Sequence, residues 1–485
     1  MTRLKPFFRK LMLALFMLLL GLGVFLGTCG NLAHKSYAAA LLVSVLLLAV
    51  GYCRRNRLGI FLEKLNRMDP VKLAAVLTIT YLLLNGLWVL CFQPKQAPDF
   101  QTFFNAAADL AKGIHPQGRD YIAMFPHILG YSAFLSLFLK IFGQTVMTAS
   151  VLNVILTAVS GILIYSICCM WLDTASAAAA FALWIICPSK LLYNSMSFSE
   201  PYYTCLLLLF FMLVSVVERA KQKKLVVSAL TGASAGIVLG LVNTARPIGI
   251  IPIIALAIWL LFLINGDERR NEWKKWSLFF LLLLSTYGLT SMLWNTFETE
   301  QLEQNPASIP GYSIYVGFNA ETQGSYSDSD MELLQSRYFG EYGRNADAAQ
   351  NSMLEDAKIR IREEAGSIPV LMMHKLSTLL GHDEGGVFYS KDGLSEKAYS
   401  LLCVASNLWY YFICILAIFG CVKLWRSGTG GSILLIPLFS LGLVLAQLLV
   451  EVAARYHYAL VPMLIILSAF CINNLIDRSV TRGRL

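Results

Sequence analysis

The sequence predicts an all-α polytopic membrane protein, and three observations carry that reading. The chain is 57% hydrophobic and only 14% charged, where a soluble domain carries about 25% charged residues. Apolar runs of roughly 20 residues, the length an α-helix needs to cross a bilayer, recur along the whole chain. The basic residues sit in short clusters between those runs, the pattern of the positive-inside rule. The net charge of +9 therefore speaks for membrane topology and against a nucleic-acid partner.

Taken in order, the first expected spans are 11–29 and 37–53, with the short loop GNLAHKS between them. The N-terminus resembles a signal peptide, and LGTCG a lipoprotein cleavage site. Thr28 fits that site poorly and the run is long, so an uncleaved first span is expected. Residues 54–72 hold six Lys or Arg and belong on the cytoplasmic side, which sends the third span, 73–92, outward. Asp99 then lies just past the outer membrane edge.

The apolar run 125–142 decides everything downstream. If it crossed the membrane, ERAKQKK and NGDERRNEWKK, eight basic residues in two short loops, would face outward against the positive-inside rule. If it lies on the outer surface as a juxtamembrane helix, both clusters face inward. The second reading leaves nine further spans: 147–170, 175–188, 201–217, 225–244, 248–265, 276–295, 400–422, 432–450 and 458–476. The result is about twelve spans with both termini cytoplasmic. It has outer juxtamembrane helices and one large outer loop, 296–399. Within that loop 332–339 and 346–364 read as helical. Ile368–Leu380 is too short to span and reads as a second surface helix.

The chain accordingly divides into four parts. Residues 1–72 are two extra N-terminal spans and a basic loop. Residues 73–295 are a core with a first outer loop, 93–146. Residues 296–399 are the extracytoplasmic loop, and 400–485 hold three C-terminal spans and a basic tail. The eleven cysteines lie within or beside apolar spans and form no CxxC pair, so neither a disulfide framework nor a cysteine metal site is expected.

On this topology several polar segments share the outer compartment. They are Asp99; PSKLLYNSMSFSEP with Lys190 and Glu200; NTARP with Arg246; YVGFNAETQG with Asn319 and Glu321; GHDEGG with His382 and Asp383; and EVAARYHY with Arg455, Tyr456 and His457. All six histidines, His127 among them, fall on this side. Each segment also has a plainer reading. Arg246 and Lys190 are equally consistent with anchors snorkelling to headgroups. Glu451 and Arg455, four apart, would pair along a helix, and Asp109 fits a solvated helix face. The histidines lack close ligand spacing, so no metal site is assigned, although a loop carboxylate could hold a divalent cation without a motif.

Ionisable residues gathered near a membrane plane are costly and usually mark a functional path. An acid can take the proton of an attacking hydroxyl, and arginines can hold a phosphate as it leaves. That chemistry suits sugar transfer from a lipid phosphate.

The segments APDFQTFFNAA, MFPHILGYSAFLSLFLKIFG, PSKLLYNSMSFSEP, NTARPIGI, YVGFNAETQG, GHDEGG and RYHYALVPMLIILSA, in this order over residues 73–476, resemble bacterial GT-C membrane glycosyltransferases. The branch they resemble is the protein O-mannosyltransferase-like one. The resemblance implies a helical core with outer juxtamembrane helices. It also implies a polyprenyl-phosphate-linked sugar donor and inversion at the anomeric carbon. It places Asp99 as the catalytic carboxylate and Arg455 and Tyr456 at the donor phosphate. Arg246 and Lys190, from the shared outer compartment rather than from the resemblance, are the further candidates for that phosphate. Glu200, His127, Asn319, Glu321, His382, Asp383 and His457 are substrate-site candidates. Many relatives carry paired acids where Asp99 is followed by Phe100, which leaves Glu200 or Asp109 as the second acid, if one serves.

The expected function is a hexosyltransferase-like, multi-pass enzyme of the cell membrane, acting at the extracytoplasmic face on a glycan, lipid or protein acceptor. The rival is a transporter or flippase of lipid-linked saccharides. It should show ionisable residues at mid-membrane depth in inverted repeats, and no repeat is evident in the sequence.

Overall fold

The computed structural model describes residues 4–30, 35–220, 225–264 and 266–482, and among them every regular element is helical. Parts of the segments GNLAHKS, ERAKQKK, NGDERRNEWKK and the basic tail lie outside the described residues.

The chain begins with α1 (Leu4–Gly30) and α2 (Lys35–Cys53), then α3 (Arg55–Asn66) and α4 (Pro70–Cys91). Asp69 caps α4 by accepting from Lys72 N, with Pro70 at the first helical position, where a proline costs no hydrogen bond. Three helices follow before the next long one: α5 (Pro98–Ala111), α6 (Arg119–Met124) and α7 (His127–Phe142). The long α8 (Val146–Trp171) returns, and α9 (Thr174–Ile185), α10 (Pro188–Tyr193), α11 (Glu200–Arg219), α12 (Leu225–Ala245) and α13 (Ile250–Ile258, continued by a π-turn to Leu263) come next.

The second half opens with α14 (Gly266–Leu302). A compact end-domain contains α15 (Gly311–Gly317), α16 (Asp328–Ser336), α17 (Ala346–Glu363), α18 (Ile368–Leu380) and α19 (Gly385–Tyr389). The chain closes with α20 (Glu396–Ser427), α21 (Leu435–Gln447) and α22 (Leu460–Arg482).

Among the described residues, eight helices are long and apolar enough to cross a membrane: α1, α2, α4, α8, α11, α12, α14 and α20. The other four expected spans, in α9, α13, α21 and α22, are apolar helical stretches of 10–17 residues. Their peptide groups are satisfied within helices and their side chains are largely buried by the long ones. Leu460 to Phe470 of α22 is buried almost residue for residue, packed against α20, α9, α8 and α21, so α22 forms the axis of the bundle.

The two ends of the bundle are chemically distinct. At one end Lys5 Nζ donates to Ile264 O (2.6 Å), Lys275 Nζ to Ala220 O (3.3 Å), and Ala175 N to the Asn66 side chain (2.7 Å). The other end carries α5–α7, α10, α15–α19 and the turn before α22. The path of the chain between α4 and α8 follows from two contacts. Gln93, just past α4, reaches Ser150 at the start of α8 (3.3 Å), and Tyr165 near the end of α8 reaches Pro70 at the start of α4 (2.9 Å). The two helices are antiparallel, so residues 92–145 leave and return at the same end, and α7 does not traverse the bundle. Instead α7 lies across the tips of its neighbours. Phe134 stacks on Tyr202 in the first turn of α11 (4.2 Å), Ser132 donates to Phe103 O in α5 (2.9 Å), and Gly130 sits where a Cβ would come within 2.2 Å of Thr244 O.

Three local expectations change. The basic segments NGDERRNEWKK and 54–72 are largely helical, as the start of α14 and as α3; a long helix costs nothing extra where its polar turns project past the apolar slab. Asp109 is buried and accepts from Gln117 N at 3.0 Å, tying down the chain after α5 rather than facing solvent. Glu451 and Arg455 do not pair along a helix. Residues 451–453 are irregular and Ala454–His457 is a 3-10 turn.

Candidate functional site

The site is assembled at the end of the bundle that carries α5–α7. Pro98 and Asp99 open α5, where a proline is pre-shaped for the first turn and a carboxylate is favoured by the helix dipole. The Asp99 side chain stays half exposed, at 51%. Its Oδ2 accepts from Nη2 of Arg455 at 2.7 Å, and the arginine itself is only 10% exposed. Arg455 lies in the 3-10 turn that feeds the central helix α22, so the bundle axis itself positions the guanidinium. The Arg455 guanidinium stands against the rings of Phe100, Tyr389 and Tyr456, at 5.6–5.7 Å.

A second arginine–carboxylate pair lies beside the first. Glu200, the first residue of α11, is 1% exposed and accepts from Arg246 Nη2 at 2.7 Å. Arg246 follows the last turn of α12 and stands 5.4 Å from the ring of Tyr456. The Tyr456 ring is thus shared by both guanidiniums. These contacts join α5, α11, the end of α12 and the turn before α22, segments up to 356 residues apart.

Two titratable groups border the pairs. His127, at the start of α7, has its pKa pushed down to about 3, first by burial and then by the positive charges of Arg246 and Arg455. Its imidazole is therefore neutral at physiological pH. Glu451 has its carboxyl pKa raised, first by burial, with Asp99 raising it further while Arg455, Arg246 and Lys375 oppose the rise. The Glu451 backbone is held by Ser313 O at 2.7 Å.

Behind Arg455 lies a small chamber lined by Lys190, Tyr193, Asp383, His457 and Tyr458. His457 Nε2 meets Asp383 Oδ1 at 3.1 Å, and Nδ1 meets Leu379 O at 2.9 Å. A carbonyl can only accept, so Nδ1 carries a proton. Arg455 Nε, Asp383 Oδ2 and the hydroxyls of Tyr193 and Tyr458 are buried without a protein partner. Lys190 is 1% exposed, 4.1 Å from the Tyr81 ring, and donates to Asn85 at 3.3 Å. It neither snorkels to a membrane surface nor reaches the open pairs.

The remaining sequence candidates sit elsewhere. Asn319 Nδ2 donates to Asp330 at 2.9 Å and its Oδ1 accepts from Glu321 N and Thr322 N, so it shapes a turn, and Glu321 is exposed on that turn. His382 stacks on Tyr37 at 5.8 Å, and burial lowers its pKa. Sequence reasoning missed Tyr389, whose hydroxyl lies 3.4 Å from Arg455 Nη1, and Glu451 as a member of this basin. Glu451 stood in the right octapeptide, but the backbone at 451–453 is irregular rather than the helix along which it was expected to meet Arg455. For a divalent cation, Asp99 and Glu200 are each engaged by an arginine. Among the described residues no three His, Cys, Asp or Glu groups come together as a metal cage.

No family model matches the chain, and no curated protein matches it. Among solved structures, the crystal structure of ArnT from Cupriavidus metallidurans bound to undecaprenyl phosphate is similar at 12% identity. The match covers 85% of this chain and 78% of that chain with a TM-score of 0.32, which is too distant to assign either fold family or activity.

Proposed function

We propose that this protein is an integral-membrane glycosyltransferase of GT-C type that transfers a sugar from a polyprenyl-phosphate-linked donor to an acceptor hydroxyl at the extracytoplasmic face. The observation that carries the reading is the pairing of Asp99 with Arg455 beside Glu200 with Arg246, both guanidiniums against the one Tyr456 ring.

Two adjacent guanidiniums are suited to a phosphate, which can accept bidentately from either. The donor phosphate would engage Arg455 and Arg246, displacing Asp99 from its arginine. Asp99, freed and on the solvent side, would then accept the proton of the acceptor hydroxyl. The acceptor oxygen bonds to the anomeric carbon as the bond from that carbon to the phosphate oxygen breaks. Polyprenyl phosphate leaves with the electron pair, its charge held by the two arginines. In-line attack, with the acceptor oxygen entering on the face away from the departing phosphate, inverts the anomeric centre. Glu200, buried and paired, keeps Arg246 in place, and neutral His127 is suited to bonding a sugar hydroxyl. No step runs through a metal.

A lipid-linked saccharide transporter would also bind such a headgroup. Incubating purified protein with labelled polyprenyl-phosphate sugars and an acceptor extract separates the two, since only an enzyme releases free polyprenyl phosphate. Protein that binds the donor and releases none would sink the assignment.

A further inference from the structure

We propose that Tyr37, on the second N-terminal helix, is a positioning residue for Arg455, acting through the segment Gly381–Tyr389. The inference rests on the reading of Arg455 as a ligand of the donor phosphate. It gives the two N-terminal helices a part in the site, where the sequence alone made them an addition.

The segment Gly381–Tyr389 touches Arg455 and its turn in three ways. Asp383 holds His457, two residues on, at 3.1 Å. Gly385 lies against the Arg455 backbone nitrogen and the Tyr193 hydroxyl. The Tyr389 hydroxyl accepts from Arg455 Nη1 at 3.4 Å. A shift of this segment therefore moves the guanidinium, and with it the pair to Asp99.

What holds the segment lies on three other helices. Asn407 of α20 bridges two neighbouring residues, accepting from Asp383 N at 2.9 Å and donating to Glu384 Oε1 at 2.7 Å. The other Glu384 oxygen, Oε2, accepts from the Tyr37 hydroxyl at 2.7 Å. The Tyr37 ring also stacks on His382. From the other side α1 presses directly on the start of the segment. A Cβ at Gly27 would fall 2.4 Å from Gly381 backbone atoms, so only glycine permits this approach. Glu384 is thus a half-buried carboxylate with one oxygen on the bundle core and one on the N-terminal pair. A hydrogen bond to a charged carboxylate is among the stronger kinds. Its loss leaves that oxygen poorly satisfied, and the loop it anchors is free to shift by the small distances that matter for a phosphate ligand.

The test compares Tyr37→Phe and Glu384→Gln with Ser44→Ala, using purified full-length protein and a labelled polyprenyl-phosphate sugar. Ser44 donates to Leu408 O at 2.9 Å, so its variant loosens the same α2–α20 contact without touching Glu384. Tyr37→Phe and Glu384→Gln are expected to raise KM for the donor by about tenfold, with Ser44→Ala at the wild-type value. A mere loss of folded protein lowers apparent kcat and leaves KM unchanged, so the KM shift separates positioning from stability. Wild-type KM in both Tyr37→Phe and Glu384→Gln, or an equal shift in Ser44→Ala, would overturn the inference. Wild-type protein that neither binds nor turns over the donor would overturn the proposed function first, and this inference with it.

Discussion

Arg455 Nη2 donates to Asp99 Oδ2 at 2.7 Å, joining the first turn after the fourth helix to the turn that begins the last one. The partially buried guanidinium and the half-exposed carboxylate form a pair with one side open to water. The open side of the carboxylate is where an incoming hydroxyl can reach it.

Substituting Asp99→Asn is expected to lower transfer by at least about a hundredfold, the usual worth of a general base. Membrane insertion and thermal stability should be nearly unchanged. Arg455→Lys keeps the charge but loses the planar fork, and should raise donor KM as well as lower kcat. Near-normal turnover in Asp99→Asn would remove it as the base.

Glu451→Gln should act on stability with a definite sign. Burial raises the folded pKa of Glu451 above its ordinary value of 4.5, so above that value the unfolded state releases its proton first and stability falls with rising pH. Removing the ionisable group should therefore stabilise the protein at neutral pH and change little below pH about 4. Thermal unfolding of both proteins in detergent at the two pH values checks this; equal shifts at both would contradict it.

Lys375→Met should destabilise the protein more than a surface lysine does. Its Nζ donates to Gly317 O and Val450 O, each at 2.7 Å, clamping α15 to the irregular segment before Arg455. Methionine fills the volume but leaves two carbonyls unsatisfied, at a cost of about 2–4 kcal/mol. A melting temperature unchanged from wild type would show that these carbonyls find other donors.

Cysteine labelling tests the path of the chain. Gln144 is exposed just after α7, and in a cysteine-depleted background Gln144→Cys should react with an impermeant thiol reagent from the same side as Asp392→Cys. Arg55→Cys should react only from the other side. Labelling of positions 144 and 55 from one side would mean that α7 crosses the membrane.

The lengths of the apolar runs and the spacing of basic clusters were enough to place twelve apolar helices and the end-lying α7, because bilayer thickness and charge asymmetry act on composition and need no partner. The expected topology and the motifs put Asp99, Arg246, Glu200 and Arg455 among the site candidates. Their pairing was not legible. Asp99 meets Arg455, and Glu200 meets Arg246, only because α5, α11, α12 and the turn before α22 end at one place, and ends are set by packing around α22 rather than by local pattern. The same holds for Lys190, which reads as a surface anchor and is enclosed by Tyr81, Asn85 and Trp184. Asp109, which reads as solvated, is claimed by the backbone of Gln117. Glu451 and Tyr37 carry no distinguishing sequence signal. One acquires its partners from a non-helical turn, the other from a helix that arrives from the far end of the chain, and such contacts exist only once tertiary packing has brought distant segments within hydrogen-bonding distance.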